Sequence, residues 1–501
     1  MTAGAPIIKN DMLLTFTGIS LVMFLAVMDM AAIPIALPAI GTALDGMKDL
    51  AWVMTSYMLT STATAPIYGK LSDLFGRRRV LQAAIILFLA GAVMCAGATS
   101  ITQLICYRII QGLGGGGLIV LAFIIIGEII VPREQGRYQG YMGGIFALSS
   151  ILGPVIGGLL IEATSWRWIF MLYVPIGILA LYLTRRAPGA QPARAGKPKL
   201  DVLGAILLMA GITLILLFIN RFSAMKNGTF AVSSEFLMLG AGVLAVLILF
   251  LTQERRAPEP ILPLTMFDNS VFSIAVSVVA ISSMSMFAAT IFLPQYFQIV
   301  LGAGPTEAGM LLVPFKIGMM VAPIGGGWLL SRTGHYKPYL VVGLGLAALM
   351  YVILGLVDGV LTNHLLAPIV LSCLGLGLGV AMPLMTVAVQ NAVERRHLGT
   401  ATAMLGFFRS LGGVVGVAVF GAIYSANIMQ RLDRIPLPGT SAQAVVDGGA
   451  VAFAKLSRTQ LESVLAAFSD SFLAVLLVAA AIAILACLLA LSIKECIPVA
   501  E

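Results

Sequence analysis

Charge is what this chain has least of: Asp, Glu, Lys and Arg together make up only 10% of its 501 residues. Water-soluble domains carry about a quarter charged residues. A chain that is 59% hydrophobic, with a mean hydropathy of +1.02, therefore has too little polar surface to cover itself in water. Cysteine is also sparse. Cys95, Cys106, Cys373, Cys487 and Cys496 show no C-x-x-C spacing and no pair in the outer loops, which argues against a disulfide frame or a metal site and leaves them as small apolar residues. The three histidines, His335, His364 and His397, fall at loops or helix ends and read as solvated surface groups. With no intramembrane histidine, no H-E-x-x-H and no paired carboxylates, nothing supports an intramembrane hydrolase, so the chain reads as a non-enzyme. No G-x-x-x-x-G-K-[ST] loop exists to cradle ATP, so no cofactor is implied and energy must come from a gradient.

What is present instead is a series of apolar runs long enough to cross a bilayer, which takes about 20 residues as a helix. They lie near 13–40, 51–69, 80–98, 103–131, 136–162, 167–184, 201–220, 236–252, 271–300, 307–330, 338–357, 365–390, 397–424 and 470–493. In lipid the backbone must satisfy its own hydrogen bonds, and these runs are too long and too uniformly apolar for barrel strands. The fold class is an all-α polytopic membrane protein with fourteen spans. The run beginning at Met12 is too long for the apolar core of a signal peptide and reads as a first span that is retained.

The net charge of +8 reflects topology. Most Lys and Arg residues sit at the termini or in alternate loops, among them Arg77, Arg78, Arg79, Arg133, Arg185, Arg186, Arg255, Arg256, Arg395 and Arg396. By the positive-inside rule both termini are cytoplasmic, and nucleic acid is not needed as a partner.

The chain also repeats itself. Gly69-Lys70-Leu71 is followed by Gly76 and Arg79 after the second span, and Gly327-Trp328-Leu329 by Gly334 and Lys337 after the tenth, with the same spacing. Two equivalent loops eight spans apart imply six helices, two inserted, then six. The boundaries are 1–184 for the first bundle, 185–263 for a basic linker plus two peripheral helices, and 264–501 for the second bundle with a long outer loop at 427–468. Within that loop Gly449–Phe468 mixes apolar and charged positions, and reads either as an amphipathic surface helix that docks a periplasmic adaptor or as a plain linker.

Four ordered motifs carry a resemblance. Gly69–Arg79 (GKLSDLFGRRR), Tyr107-Arg108 with Gln111-Gly112-Leu113-Gly114, Gly153-Pro154 with Gly157-Gly158, and Met28-Asp29 followed by Ala36-Leu37-Pro38 resemble the major facilitator superfamily, and more narrowly its fourteen-helix drug:proton antiporter branch. The resemblance covers nearly the whole chain. It implies a multi-pass exporter of the bacterial inner membrane that alternates between inward- and outward-open forms, driven by protons and carrying small amphipathic toxic compounds.

Asp29 is the acidic side chain set well inside a span, about 16 residues in, or ~24 Å by helical rise. An intramembrane carboxylate is costly and is by default a functional candidate. Arg108 enters the fourth span from the outer side and can reach similar depth, as a static partner or as part of a proton carrier; the resemblance implies proton coupling for both. The family commonly has Thr and Asn where this chain has Ala31 and Pro34, which removes polar support near Asp29 and adds a kink. Gly69, Asp73, Gly76 and Arg77, with Glu128 as partner to Arg77, form a cytoplasmic latch in which Asp73 can meet a helix N-terminus. Gly153, Pro154, Gly157 and Gly158 resemble an antiporter motif, and otherwise read as packing glycines and a kink.

Candidates for a mostly apolar substrate cavity are Tyr57, Gln111, Ser149, Phe292, Gln295 and Gln390. Lys316 and Arg409 add two intramembrane cations with no acid at similar depth in their half, which favours acidic or zwitterionic ligands unless the lysine is neutral or snorkels to an interface. The alternatives to drug efflux are therefore a dedicated proton-coupled exporter of an anionic or zwitterionic metabolite or lipid and, from another class, a receptor or scaffold that needs no titratable core.

Overall fold

The backbone resolves its hydrogen bonds helix by helix in the computed structural model, which describes residues 9–45, 50–130, 132–185, 201–223, 234–258, 260–357, 359–394, 397–436 and 456–495, with Ala442, Val445 and Phe453. The first bundle comprises α1 (Lys9–Ala43), α2 (Leu50–Phe75), α3 (Arg77–Ala96), α4 (Ile101–Ile129), α5 (Pro132–Ala163) and α6 (Arg167–Thr184). Two further helices follow, α7 (Val202–Ser223) and α8 (Ser234–Arg256). The second bundle contains α9 (Ser270–Ile299), α10 (Pro305–Leu311), α11 (Val313–Thr333), α12 (Lys337–Leu356), α13 (Leu366–Gly379), α14 (Ala381–Ala392), α15 (Leu398–Leu432) and α16 (Arg458–Leu491).

Twelve helices among the described residues are long and apolar enough to cross a membrane. The two expected spans outside that set are α2 and α7. In α2 the apolar run is diluted by Ser56, Thr60, Ser61 and Thr64, whose hydroxyls donate to carbonyls three or four residues back and so satisfy themselves. The apolar stretch described in α7 is the shorter segment Val202–Ile215.

Glycine sets how closely the first bundle packs. On α4, Gly112, Gly115 and Gly116 face Thr60, Tyr57 and Ser61 of α2, while Gly114 and Gly117 face Ala84 and Phe88 of α3 and Tyr68 of α2. A Cβ at any of these positions would overlap a neighbour, so α4 runs at the centre with its backbone nearly in contact on two sides. Exposure is inverted relative to a soluble protein: Met238, Leu244, Val342 and Leu365 stand on the outer surface at 72%, 62%, 69% and 79%. Hydrocarbon, not water, is the solvent these side chains suit.

The sequence repeat has a backbone cause. Gly76 and Gly334 both adopt a positive φ, 90° and 74°, at the turn that follows α2 and α11. The first glycine of each motif lies against the opposite bundle, Gly69 on Gly399 and Ala403 of α15, and Gly327 on the Gly136 carbonyl of α5. Two pseudo-equivalent helix pairs, α2 with α15 and α5 with α11, thus hold the bundles together at the loop-motif face. The cross-bundle hydrogen bonds Gln139 to Gln390 (3.3 Å) and Gln390 to the Phe123 carbonyl (3.2 Å) lie toward the same face.

Several expected boundaries shift. The tenth span is broken at Leu312, ahead of Pro314, and the twelfth at Val380, ahead of Pro383, because proline cannot donate to the preceding turn. The helices on either side of the expected loop 427–468 extend into it, α15 to Leu432 and α16 from Arg458. Ser457 and Gln460 form a reciprocal cap that starts α16 well before the apolar run, so 458–468 continues the last helix and is no separate surface helix. Most of 437–455, and the linker 186–200, lie outside the described residues. His335 is not simply solvated, since its Nδ1 meets Glu495 Oε2 at 2.6 Å.

Candidate functional site

Inside the first bundle, α1 and α4 bring Asp29 and Arg108 together with both side chains fully buried. Arg108 Nη1 donates to Asp29 Oδ1 and Oδ2, each at 2.8 Å, and to Gln111 Oε1 at 2.8 Å. Gln111 Nε2 in turn donates to Asp29 Oδ1 at 3.1 Å, closing a ring of three side chains. Arg108 Nε donates to the Val53 carbonyl of α2 at 3.3 Å, and the Tyr57 ring stacks under the guanidinium with 4.1 Å to its centroid. Such a pair persists because nearly all of its polar atoms are paired, and two unpaired charges here would each cost several kcal/mol.

The satisfaction is incomplete at two atoms. Among the described residues Arg108 Nη2 and the Tyr173 hydroxyl of α6 are both buried without a hydrogen-bond partner, and Tyr173 interacts electrostatically with both Asp29 and Arg108. Cys95 Sγ approaches Gln111 Oε1 at 3.6 Å, so this cysteine borders the network. The antiporter-like motif supports the same spot from the other side: Gly153 of α5 abuts Ala31 and the Met28 carbonyl, and Gly157 abuts Ala32, on the turns flanking Asp29. A Cβ added at Gly158 would meet nothing within 4 Å among the described residues. Helix α1 continues through Pro34, which is exposed, to Ala43.

At the loop-motif face a second constellation forms. Arg77 bonds Asp73, Ser72 Oγ at 2.7 Å and Glu128 Oε2 at 3.1 Å. Asp73 then crosses to the second bundle, where it accepts from the Gly399 N–H (3.1 Å) and from the Thr400 N–H and hydroxyl (both 2.9 Å) at the start of α15. The carboxylate of one bundle thereby caps a helix of the other.

The candidate cavity residues are dispersed. Tyr57 and Gln111 belong to the buried network described above. Ser149 donates to its own Ile145 carbonyl at 2.6 Å, and Gln390 bonds Gln139, Phe123 and Thr402 between the bundles. Phe292 joins an aromatic cluster with Phe420, Tyr424 and Phe472, while Gln295 is exposed. Arg409 rests on the Phe146 ring of the opposite bundle at 5.5 Å. Lys316 lies in the first turn of α11, half-buried, and its side chain has no hydrogen bond or ion pair among the described residues. Sequence reasoning missed Tyr173, Gln139 and Thr400. An isolated tyrosine in a span and a threonine at a helix start carry no pattern of their own, and only the approach of other helices gives them a role.

Comparison with known proteins adds a frame to this geometry. Residues 19–417 match the family model described as Major Facilitator Superfamily. The chain is 32% identical over 446 residues to the multidrug transporter protein MdtP of Bacillus subtilis, covering 87% of this chain and 81% of that relative. It is 31% identical over 418 residues to multidrug resistance protein 3 of the same organism, covering 83% and 80%. Among solved structures, the human organic anion transporter MFSD10 shares the fold with a TM-score of 0.63 at 15% identity, over 95% of this chain and 99% of that one.

Proposed function

Because the chain belongs to the Major Facilitator Superfamily, a family of membrane transporters and not of enzymes, we propose that it is a proton-coupled antiporter that exports amphipathic toxic compounds across the bacterial plasma membrane by alternating access. The observation that carries this reading is the fully buried Asp29–Arg108–Gln111 ring. A carboxylate held by one cation in a dry bundle can exchange that partner for a proton, and the exchange alters which helices it ties together. Multidrug relatives at about 30% identity support efflux. We take α2 and α7 as spans too, which makes fourteen helices with both termini cytoplasmic. The loop-motif face is then cytoplasmic, and the Asp73 contact to α15 is a latch closed in the outward-open form.

The test uses purified protein in sealed proteoliposomes loaded with a fluorescent lipophilic cation. An imposed pH gradient should drive its movement in wild type and not in Asp29→Asn. Gradient-driven movement at the wild-type rate in that variant, or none in wild type with any tested substrate, sinks the reading.

A further inference from the structure

The two inserted helices take no part in the ring around Asp29, yet each brings a buried acid to one point. Asp201 stands immediately before α7 and is 9% exposed; its Oδ1 accepts from the Gly204 N–H at 2.9 Å and from Gln253 Nε2 at 2.9 Å. Glu254, near the end of α8, is 3% exposed, and its Oε2 accepts from the Leu262 N–H at 3.0 Å. The remaining oxygens, Asp201 Oδ2 and Glu254 Oε1, are both buried with no hydrogen-bond partner among the described residues. Both converge on Gly204: a Cβ there would lie 3.1 Å from Glu254 Oε1 and closer still to Asp201 Oδ2.

Carboxylate oxygens only accept hydrogen bonds, so two that converge cannot satisfy each other. Two like charges at short range in a buried site also oppose one another. One added proton answers both conditions by turning one oxygen into a donor. Among the described residues Lys70, from the loop motif of α2 and only 7% exposed, is a cation that acts on Glu254. Its one positive charge stands against two carboxylates. Of the charged groups nearby in sequence, Arg255 and Arg256 are exposed, and Asp73 and Arg77 are committed to each other and to α15.

We propose that Asp201 and Glu254 form a second proton-binding site, holding one proton between them directly or through a single water, where the inserted helices meet the loop motif. Its loss leaves two buried carboxylates against one ammonium and weakens the seat of α7 on α2 and α15, the helices that carry Asp73 and the backbone groups it caps. The site answers to pH at the loop-motif face and is independent of the Asp29 ring.

The experiment is infrared difference spectroscopy of the full-length protein in nanodiscs across a pH series, with hydrogen–deuterium exchange of α7 in parallel. Wild type should show the C=O stretch of a protonated carboxyl that disappears as pH rises, together with faster exchange in α7 beyond the intrinsic pH effect. The band should remain in Asp29→Asn and vanish in Glu254→Gln, whose amide N–H supplies Asp201 with a permanent donor and makes α7 exchange insensitive to pH. Asp201→Asn gives the same readouts from the other side if the first variant does not fold. Should neither fold, Lys70→Met must hold the band to higher pH, and an unmoved band overturns the proposal. A band lost in Asp29→Asn but kept in Glu254→Gln overturns it as well, as does the absence of any such band. None of these readouts requires transport, so failure here is distinct from failure of the efflux reading.

Discussion

Asp73 and Thr400 belong to different bundles, yet the carboxylate of the first takes both the backbone N–H and the hydroxyl of the second, each at 2.9 Å. A single side chain of one bundle therefore completes the start of a helix in the other. Asp73→Asn keeps the shape but loses the charge that the helix terminus favours, an effect of about 0.3–2 kcal/mol, or roughly 2–30-fold in the balance between conformations. Alkylation of single cysteines placed around the loop-motif face should accelerate by such a factor. Unchanged rates would mean that the motif sets topology only.

Removing the cation from the buried ring should be worse than removing the carboxylate. Asp29→Asn is isosteric and leaves Arg108 its bonds to Gln111 and the Val53 carbonyl, whereas Arg108→Ala removes those bonds and the stacking on Tyr57 and leaves Asp29 with no cation in contact among the described residues. Breaking a buried pair in this way costs about 3–5 kcal/mol. Thermal unfolding in detergent should therefore fall clearly further for Arg108→Ala than for Asp29→Asn, while both lose gradient-driven export. Equal stabilities would place less of the network's energy in the pair than its geometry implies.

The close approach of α4 to its neighbours makes a sharp comparison available. Gly114→Ala and Gly116→Ala place a methyl into the backbone of α3 and α2, whereas Gly158→Ala meets nothing within 4 Å. Overpacking of that kind costs typically about 1–3 kcal/mol. The first two variants should unfold at lower temperature in detergent and the third should match wild type. Three indistinguishable melting curves would contradict the packing described.

Whether Lys316 acts on substrate choice can be measured directly, since its side chain has no hydrogen bond or ion pair among the described residues. Lys316→Met should reduce transport of acidic or zwitterionic compounds at least about tenfold while leaving lipophilic cations within about twofold, a difference of at least roughly 1 kcal/mol in recognition. Equal effects on both classes, measured by competition in proteoliposomes, would remove the lysine from the binding surface.

Much of the fold was legible because its cause is local. Length and uniform apolarity mark a span without reference to anything else, and the spacing from Gly69 to Gly76 and from Gly327 to Gly334 reports a turn whose second glycine needs a positive φ. Asp29 and Arg108 stood out because a charge in an apolar run is costly wherever it lies. What failed to show were properties created by a neighbour. Tyr57 and Gln111, read as cavity lining, are sealed against Arg108 by the approach of α2 to α4. Asp201 and Glu254 sit at the ends of apolar runs where acids are ordinary, and only tertiary packing buries them. The long outer loop was overestimated because polar helical extensions beyond the membrane carry no apolar signal, although the Ser457 and Gln460 cap was present in the sequence.

Helix α15 is continuous over 35 residues, so it is a rod about 52 Å long whose first turn is gripped by Asp73 and whose last bears Arg431, paired with Asp470 at 2.5 Å. Such a rod works as a lever. A tilt of about 10° around its middle sweeps each end through about 4–5 Å in opposite directions. Releasing the grip at one membrane face thus requires no signal relayed through side chains to reach the other, because the stiffness of one uninterrupted helix carries the displacement across.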